Sequence, residues 1–180
     1  GVATPTFRAV NSEAEVAQAG AELGWPLVLK ARRNGYDGKG NATLHSAADI
    51  GAAWFKLGGA DGELYVEQWC PFVAEVAVIV TRDRHGASVV YPVTETVQRD
   101  HVCHRVMVPA PLAPTQQAEV QALAERAVAA VGGVGSFGVE LFLMADGSLK
   151  LNELAPRVHN SGHYTIEACA CSQFENHVRA

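Results

Sequence analysis

The sequence predicts an α+β chain with antiparallel sheets: a small α/β unit over residues 1–70, then a larger antiparallel sheet with flanking helices over residues 71–180. Three observations carry this. Helix-like and strand-like segments alternate up to about residue 70, and β-rich runs succeed one another after it. Asp146-Gly147 stands between two apolar runs, the strongest short-range hairpin signal in the chain.

The elements follow in order. Ser12-Glu13-Ala14-Glu15 has the spacing of a capping box, so a helix should run from 12 to 23 and stop at Gly24. Residues 26–31 read as a buried strand. The glycine-rich stretch "RRNGYDGKGN" comes next, then a short strand near 41–45. A second helix fits 47–57 and ends at Gly58-Gly59. "ELYVEQW" closes the first unit as a strand. "VAEVAVIVT" and "ASVVYPVT" are strands joined by a turn at His85-Gly86, and "HVCHRVMVP" is a further strand. Residues 115–131 form an amphipathic helix stopped by Gly132-Gly133. The Asp-Gly hairpin follows. A loop, "RVHNSGH", leads into a final helical segment.

Composition narrows the function. With 48% hydrophobic residues in 180, a packed core is expected and disorder is not. A net charge of −5 argues against nucleic acid as a partner. No apolar run is long enough to span a membrane, and no signal peptide is evident. The cysteines, Cys70, Cys103, Cys169 and Cys171, contain no CxxC pair, which suggests reduced thiols in a cytoplasmic protein. Cys169 and Cys171 lack partners at zinc-ligand spacing. The opening "GVATPTFRAV" reads as sequence from inside a longer protein.

The glycine-rich stretch combines flexibility with positive charge. Gly35, Gly38 and Gly40 let backbone N–H groups approach an anion, and Lys30 and Lys39 add charge. It is not a Walker A loop, because no Ser or Thr follows Lys39. A glycine-rich turn between two strands fits a flap over phosphates, or simply a solvated hairpin tip. Glu67-Gln68 ends a strand before Pro71 and could present backbone groups to a flat heterocycle. Glu75 could accept hydrogen bonds from ribose hydroxyls, though each acid also suits an ordinary surface position.

The hairpin places two acids face to face. With a two-residue turn at 146 and 147, Ala145 faces Ser148, Phe142 faces Leu151, Glu140 faces Glu153 and Gly138 faces Ala155. Opposed Cβ atoms lie roughly 4.5–5.5 Å apart, where like charges repel. Three arrangements relieve this: a solvated face, one protonated carboxyl in a split acid/base pair, or a bridging dication. Arg157 is a planar cation suited to a carboxylate-like anion. In "HNSGH", Asn and Ser could cap a helix whose N-terminus takes an anion. A His159/His163 zinc site is disfavoured by Gly162 between them.

"VLKARRNGYDGKGN", "YVEQWCPFVAEVAV", "YPVTETVQRDHVCHRVMVPAP", "FGVELFLMADGSLKLNELAPRVHNSGHYTIEAC" and "SQFENHVRA" together resemble the 5-(carboxyamino)imidazole ribonucleotide synthases, ATP-grasp enzymes of purine synthesis. The resemblance covers essentially the whole chain. It implies an ATP-grasp fold and ATP-dependent carboxylation of aminoimidazole ribonucleotide with bicarbonate, through carboxyphosphate. It implies ATP and Mg²⁺ (or Mn²⁺) at the site, a homodimeric full-length enzyme, and further domains on either side of this region. Lys30 then resembles the nucleotide-contacting lysine. Gly35, Tyr36, Asp37, Gly38, Lys39, Gly40 and Asn41 resemble the flap. Glu67, Gln68 and Cys70 match the adenine hinge, Glu75 the ribose contact, and Gln98 a position near the nucleotide. Glu140 and Glu153 match the metal ligands, with Asn152 beside them on the ATP. Arg157 is similar to the residue that positions bicarbonate, and His159, Asn160 and Ser161 to those that hold the ribonucleotide. The alternatives are another ATP-grasp carboxylase or ligase, expected to lack "HNSGHYT", and a catalytically idle nucleotide-binding module.

Overall fold

The structure is a computed structural model, which describes residues 1–180 apart from 36–38, 60, 61, 100 and 101. The described residues form two compact units, one of residues 5–70 and one of residues 1–4 and 71–180.

The smaller unit contains β1 (Phe7–Val10), α1 (Glu13–Leu23), β2 (Leu27–Ala31), β3 (Asn41–Leu44), a 3₁₀ turn (Ala47–Asp49), α2 (Ile50–Lys56) and β4 (Leu64–Gln68). Its sheet has the order β1-β4-β2-β3, antiparallel at each pairing. β1 is absent from the sequence-based expectation. Its hydropathy shows no alternation, since Phe7 and Ala9 are the exposed residues while Arg8 is half-buried beside the buried Val10; it is a strand because it pairs with the edge of β4. At the start of α1, Ser12 Oγ accepts from the Glu15 N–H at 3.2 Å. Glu15 returns its carboxylate to the N–H of Asn11 at 2.8 Å, one residue before the expected cap. Val16 and Ala19 of α1 pack with Leu27, Leu29, Leu64 and Val66 into one core. The expected helix over 47–57 is divided: Ser46 and Asp49 form a reciprocal capping box around the 3₁₀ turn, and α2 continues from it.

The larger unit contains β5 (Phe72–Arg82), β6 (Ser88–Val90), β7 (Thr94–Arg99), β8 (Val102–Met107), α3 (Pro114–Val131), β9 (Gly135–Met144), β10 (Leu149–Ala155), a 3₁₀ turn (Asn160–Gly162), α4 (Thr165–Ala168) and α5 (Gln173–Arg179). Its sheet runs β10-β9-β5-β7-β8, with β6 also pairing β5. The expected single strand through "ASVVYPVT" is broken around Pro92, which has no N–H to donate to a ladder. β6 pairs with β5 at Val80–Arg82, and β7 pairs with it at Glu75–Ala77. Val120, Ala124 and Val128 of α3 cover one face of the sheet, against Val76, Val78, Val80, Val139 and Leu141. Gly132, at φ 63°, ends α3 in the left-handed conformation that glycine adopts without strain. Residues 1–4 run with this unit: Leu151 N–H donates to Ala3 O at 2.8 Å, and Val2 packs on the core. The final helical segment is two helices, because Ser172 caps α5 afresh by accepting from Glu175 N–H.

The β9–β10 hairpin departs from the expected one twice. Its loop has three residues, not two: Met144 N–H donates to Ser148 O at 2.9 Å, and Gly147 takes φ 82°. Asp146 Oδ1 accepts from both the N–H and the hydroxyl of Ser148, which favours the longer turn. Ala145 therefore does not face Ser148, and Phe142 pairs with Lys150 rather than Leu151. A bulge at Asn152, between Leu151 and Glu153, then inserts one residue into β10. Beyond it Glu140 faces Glu153 and Gly138 faces Ala155, as expected.

Candidate functional site

Strand parity decides what the second face of the larger sheet presents. Val139 and Leu141 point to α3, so Ser136, Gly138, Glu140 and Phe142 share the opposite side. On β5 their partners are Thr81, Ile79, Ala77 and Glu75 in the same order. α5 and the 3₁₀ turn close the Ser136–Gly138 end: Ser136 Oγ donates to Gln173 O at 2.9 Å. A Cβ on Gly138 would lie 2.5 Å from the Cβ of His159. Glu140 is the next residue along this face.

Glu140 is 20% exposed and Glu153 is exposed. Burial pushes the Glu140 carboxyl up to about 7; the facing Glu153 and then Glu75 push the same way, and Arg157 opposes them. Of the three ways to relieve the pair, full solvation is ruled out for Glu140. The raised pKa leaves a protonated Glu140 carboxyl and a bridging dication as the arrangements that fit.

His159 is the N-cap of the 3₁₀ turn. The expectation that Asn160 and Ser161 supply the cap is therefore corrected: it is the imidazole Nδ1 that accepts from Ser161 N–H, at 3.4 Å, with Ser161 Oγ 2.9 Å away. A backbone N–H can only donate, so Nδ1 is the acceptor and the ring proton sits on Nε2. Nε2 lies 3.5 Å from Glu140 Oε1. Burial, reinforced by the charges of Arg157 and His163, pulls His159 down to about 4. The long contact is thus a neutral N–H facing a carboxyl, not an ion pair. Ser161, 1% exposed, is turned inward, whereas Asn160 and Arg157 are exposed. Arg157 donates from one guanidinium nitrogen to Val158 O at 3.0 Å. Asn152 is the bulged residue between the two ladders.

Along the same face, Glu75 and Gln98 are joined by a side-chain hydrogen bond, and burial raises the Glu75 carboxyl. Two neighbours, Cys103 and Phe72, were not anticipated from the sequence. The charges of Glu140 and Glu75, after burial, raise the Cys103 thiol. Phe72 and Phe142 stack with centroids 4.6 Å apart and planes at 3°. Register shifts between Phe72 and Ala74 and between Val97 and Gln98 disrupt the two-residue alternation that would have exposed these positions.

In the smaller unit, β2 and β3 flank the glycine-rich stretch, as expected. Ala31 N–H donates to Gly40 O at 2.8 Å, and Gly40, at φ 85°, needs its freedom from a Cβ. Gly35 and Lys39 lie between these strands, and Asn41 opens β3 opposite Lys30. Tyr36, Asp37 and Gly38 lie outside the described residues. Lys30 and Glu67 form an ion pair, 22% and 12% exposed. Gln68 gives its N–H to Thr6 O at 2.8 Å and its side-chain amide to Leu23 O at 3.4 Å. Cys70 is buried.

Among the described residues, no three His, Cys, Asp or Glu side chains converge as a metal cage. A hard dication of the magnesium kind needs only one or two protein carboxylates when phosphates complete its shell. The Glu140–Glu153 pair fits that need, because a carboxylate whose ionisation is penalised gains most from a dication beside it. No described helix is long and apolar enough to cross a membrane, and none of the four cysteines is in a disulfide.

Comparison with known proteins identifies the family of the chain. Residues 1–174 match the ATP-grasp domain family. A phosphoribosylaminoimidazole carboxylase of Schizosaccharomyces pombe is 48% identical over 180 residues, 99% of this chain and 32% of the relative. An N5-carboxyaminoimidazole ribonucleotide synthase of Synechococcus elongatus is 43% identical, covering 100% of this chain and 45% of its own length. The crystal structure of carboxyaminoimidazole ribonucleotide synthase from Aspergillus clavatus with ATP superposes with a TM-score of 0.94 at 45% identity, over 100% of this chain and 47% of that one. The Aspergillus clavatus enzyme with ADP and 5-aminoimidazole ribonucleotide gives 0.91 at 44% identity, over 100% and 46%. The chain thus spans less than half the length of each of these relatives.

Proposed function

This chain belongs to the ATP-grasp family, and from that premise we propose that it is the nucleotide-handling core of an enzyme that carboxylates 5-aminoimidazole ribonucleotide with bicarbonate, at the expense of ATP, in purine synthesis. The observation that carries the proposal is the Glu140–Glu153 pair on the uncovered sheet face, with Arg157 and His159 beside it.

Glu140 and Glu153 would hold Mg²⁺, for which Mn²⁺ can substitute, with Asn152 beside them on the ATP. The ion supplies charge neutralisation for the phosphates while the γ-phosphoryl group is in transfer. Every other task falls to the chain. Lys30 and Lys39 add positive charge for the polyphosphate, and the backbone N–H groups of Gly35 and Gly40 are available to it. Glu67, Gln68 and Cys70 form the strand end that would take adenine, and Glu75, steadied by Gln98, takes the ribose. The Arg157 guanidinium holds bicarbonate, whose oxygen attacks the γ-phosphorus; ADP leaves and carboxyphosphate forms. The amine of the ribonucleotide then captures the carboxyl carbon and phosphate departs. Water must be kept out, because it destroys carboxyphosphate; the glycine-rich flap serves that end. His159 and Asn160 face the ribonucleotide, with Ser161 setting the ring of His159. A cytoplasmic, homodimeric full-length enzyme accords with this reading.

The test is ATP hydrolysis by the full-length protein that carries this chain, measured with and without bicarbonate and 5-aminoimidazole ribonucleotide. Hydrolysis should require both, and E140Q and E153Q should abolish it. Hydrolysis indifferent to the ribonucleotide would refute the assignment. The 180-residue chain alone should gain thermal stability from millimolar Mg²⁺-ATP.

A further inference from the structure

We propose that Gln173 is a positioning residue that clamps His159 against Glu140, so that the "SQFENH" segment serves the ribonucleotide end of the site without touching any ligand. Gln173 is fully buried. Its side-chain amide makes two bonds to a single residue fourteen positions away: Oε1 accepts from His159 N–H at 2.9 Å, and Nε2 donates to His159 O at 2.7 Å. Such a pair fixes both position and orientation, as two parallel bonds fix a plane. No buried side-chain nitrogen or oxygen among the described residues lacks a partner, so the clamp has no slack.

The clamp is itself held. Gln173 N–H donates to Thr165 Oγ1 at 3.0 Å, and that hydroxyl donates to Gly162 O at 2.6 Å. Gln173 O accepts from Ser136 Oγ at 2.9 Å. Ser136 has spent its one hydroxyl proton there, so Thr81, 2.7 Å away, donates to Ser136. Ser136 N–H donates to His177 Nδ1 at 3.0 Å, tying α5 down a second time. Two glycines leave room for the arrangement: a Cβ on Gly162 would meet Gln173 Oε1 at 2.6 Å, and one on Gly138 would meet His159. A continuous chain therefore runs from β5 and β9 through Gln173 to His159, whose Nε2 faces Glu140 at 3.5 Å. Surface burial alone would call for an apolar residue at 173. A glutamine with all its polar groups engaged is the choice of a site that needs a loop set to a fraction of an ångström.

This rests on the proposed function for the identity of the ligand that His159 meets, but not for the clamp. Two variants of the full-length protein test it. Q173M keeps the volume and removes both bonds; G162A keeps every polar group and displaces Gln173 Oε1. Each should raise KM for 5-aminoimidazole ribonucleotide roughly 10- to 100-fold while KM for ATP stays within about twofold. On an H159A background Q173M should add little. Amide exchange at His159 N–H should accelerate in both variants while Ser136 N–H stays protected. Unchanged exchange at His159, equal loss at Ser136, or equal rises in both KM values would overturn the clamp. Faster exchange at His159 alone, in a protein whose native form ignores the ribonucleotide, would uphold the clamp and sink the functional assignment. If Q173M does not fold, G162A decides.

Discussion

Glu140 and Glu153 face each other across β9 and β10 only because two irregularities cancel. The three-residue turn at Ala145–Gly147 shifts the register by one residue, and the bulge at Asn152 shifts it back. The outcome is one half-buried and one exposed carboxyl at the same level of a sheet, with a neutral imidazole against the half-buried one.

Glu140 makes the metal-free protein less stable as pH rises. Its carboxyl titrates near 7 in the folded chain against an ordinary 4.5. Between these values the folded state keeps a proton that the unfolded state has lost. Stability therefore falls through this window, by up to about 3 kcal/mol above pH 7. E140Q should raise the Tm in EDTA at pH 8 and change it little at pH 4. Equal shifts at both values would rule the explanation out.

His159 acts at the acid end. Its ring titrates near 4 folded and 6.5 unfolded, so the unfolded state binds the extra proton between these values. The native chain should lose stability as pH falls from 6.5 to 4. H159N retains a side-chain acceptor for Ser161 N–H and should remove that part of the acid limb. Urea midpoints of both proteins at pH 7 and pH 4.5 measure the difference.

Lys30 and Glu67 bridge adjacent strands in a part-buried ion pair. Removing either partner leaves a poorly hydrated charge, at a cost of about 1–3 kcal/mol. K30M and E67Q should each lower the urea midpoint, and the double variant should lose less than the sum. K30M should also weaken Mg²⁺-ATP binding by calorimetry. Strict additivity would show the pair to be uncoupled.

Gly138 gives His159 its space. A Cβ there would approach the ring Cγ to 2.5 Å. G138A should cost about 1–3 kcal/mol by overpacking and move the His159 Cε1–Hε1 NMR signal. A native-like spectrum would mean that the strand yields elsewhere.

Local chemistry made much of the fold legible. Ser12 before an acid-rich turn, Gly132 after an amphipathic run, and the strands on each side of the glycine-rich stretch are set by contacts within a few residues. β1 went unread because its hydropathy carries no periodicity, only a partner 58 residues ahead, Arg8 pairing with Val66. The break at Pro92 and the Asn152 bulge went unread because each is a choice of partner strand or register. In the candidate site, the acid pair, Arg157 and the "HNSG" turn were visible as residue types. Cys103, Phe72 and the Gln173 clamp were not, since bulges displaced the first two and only packing of α5 makes the last.

By itself, the amino-acid sequence determined where α1 and α3 begin and end and which strand faces are apolar, for these follow from hydrogen bonds and periodicities a few residues long. Tertiary structure alone decided that the two acids meet despite a longer turn and a bulge, that Glu140 is half-buried while Glu153 is exposed, that His159 is neutral with its proton on Nε2, and that Gln173 holds it. Burial and field are sums over neighbours brought from distant parts of the chain, and no short stretch of residues encodes such a sum.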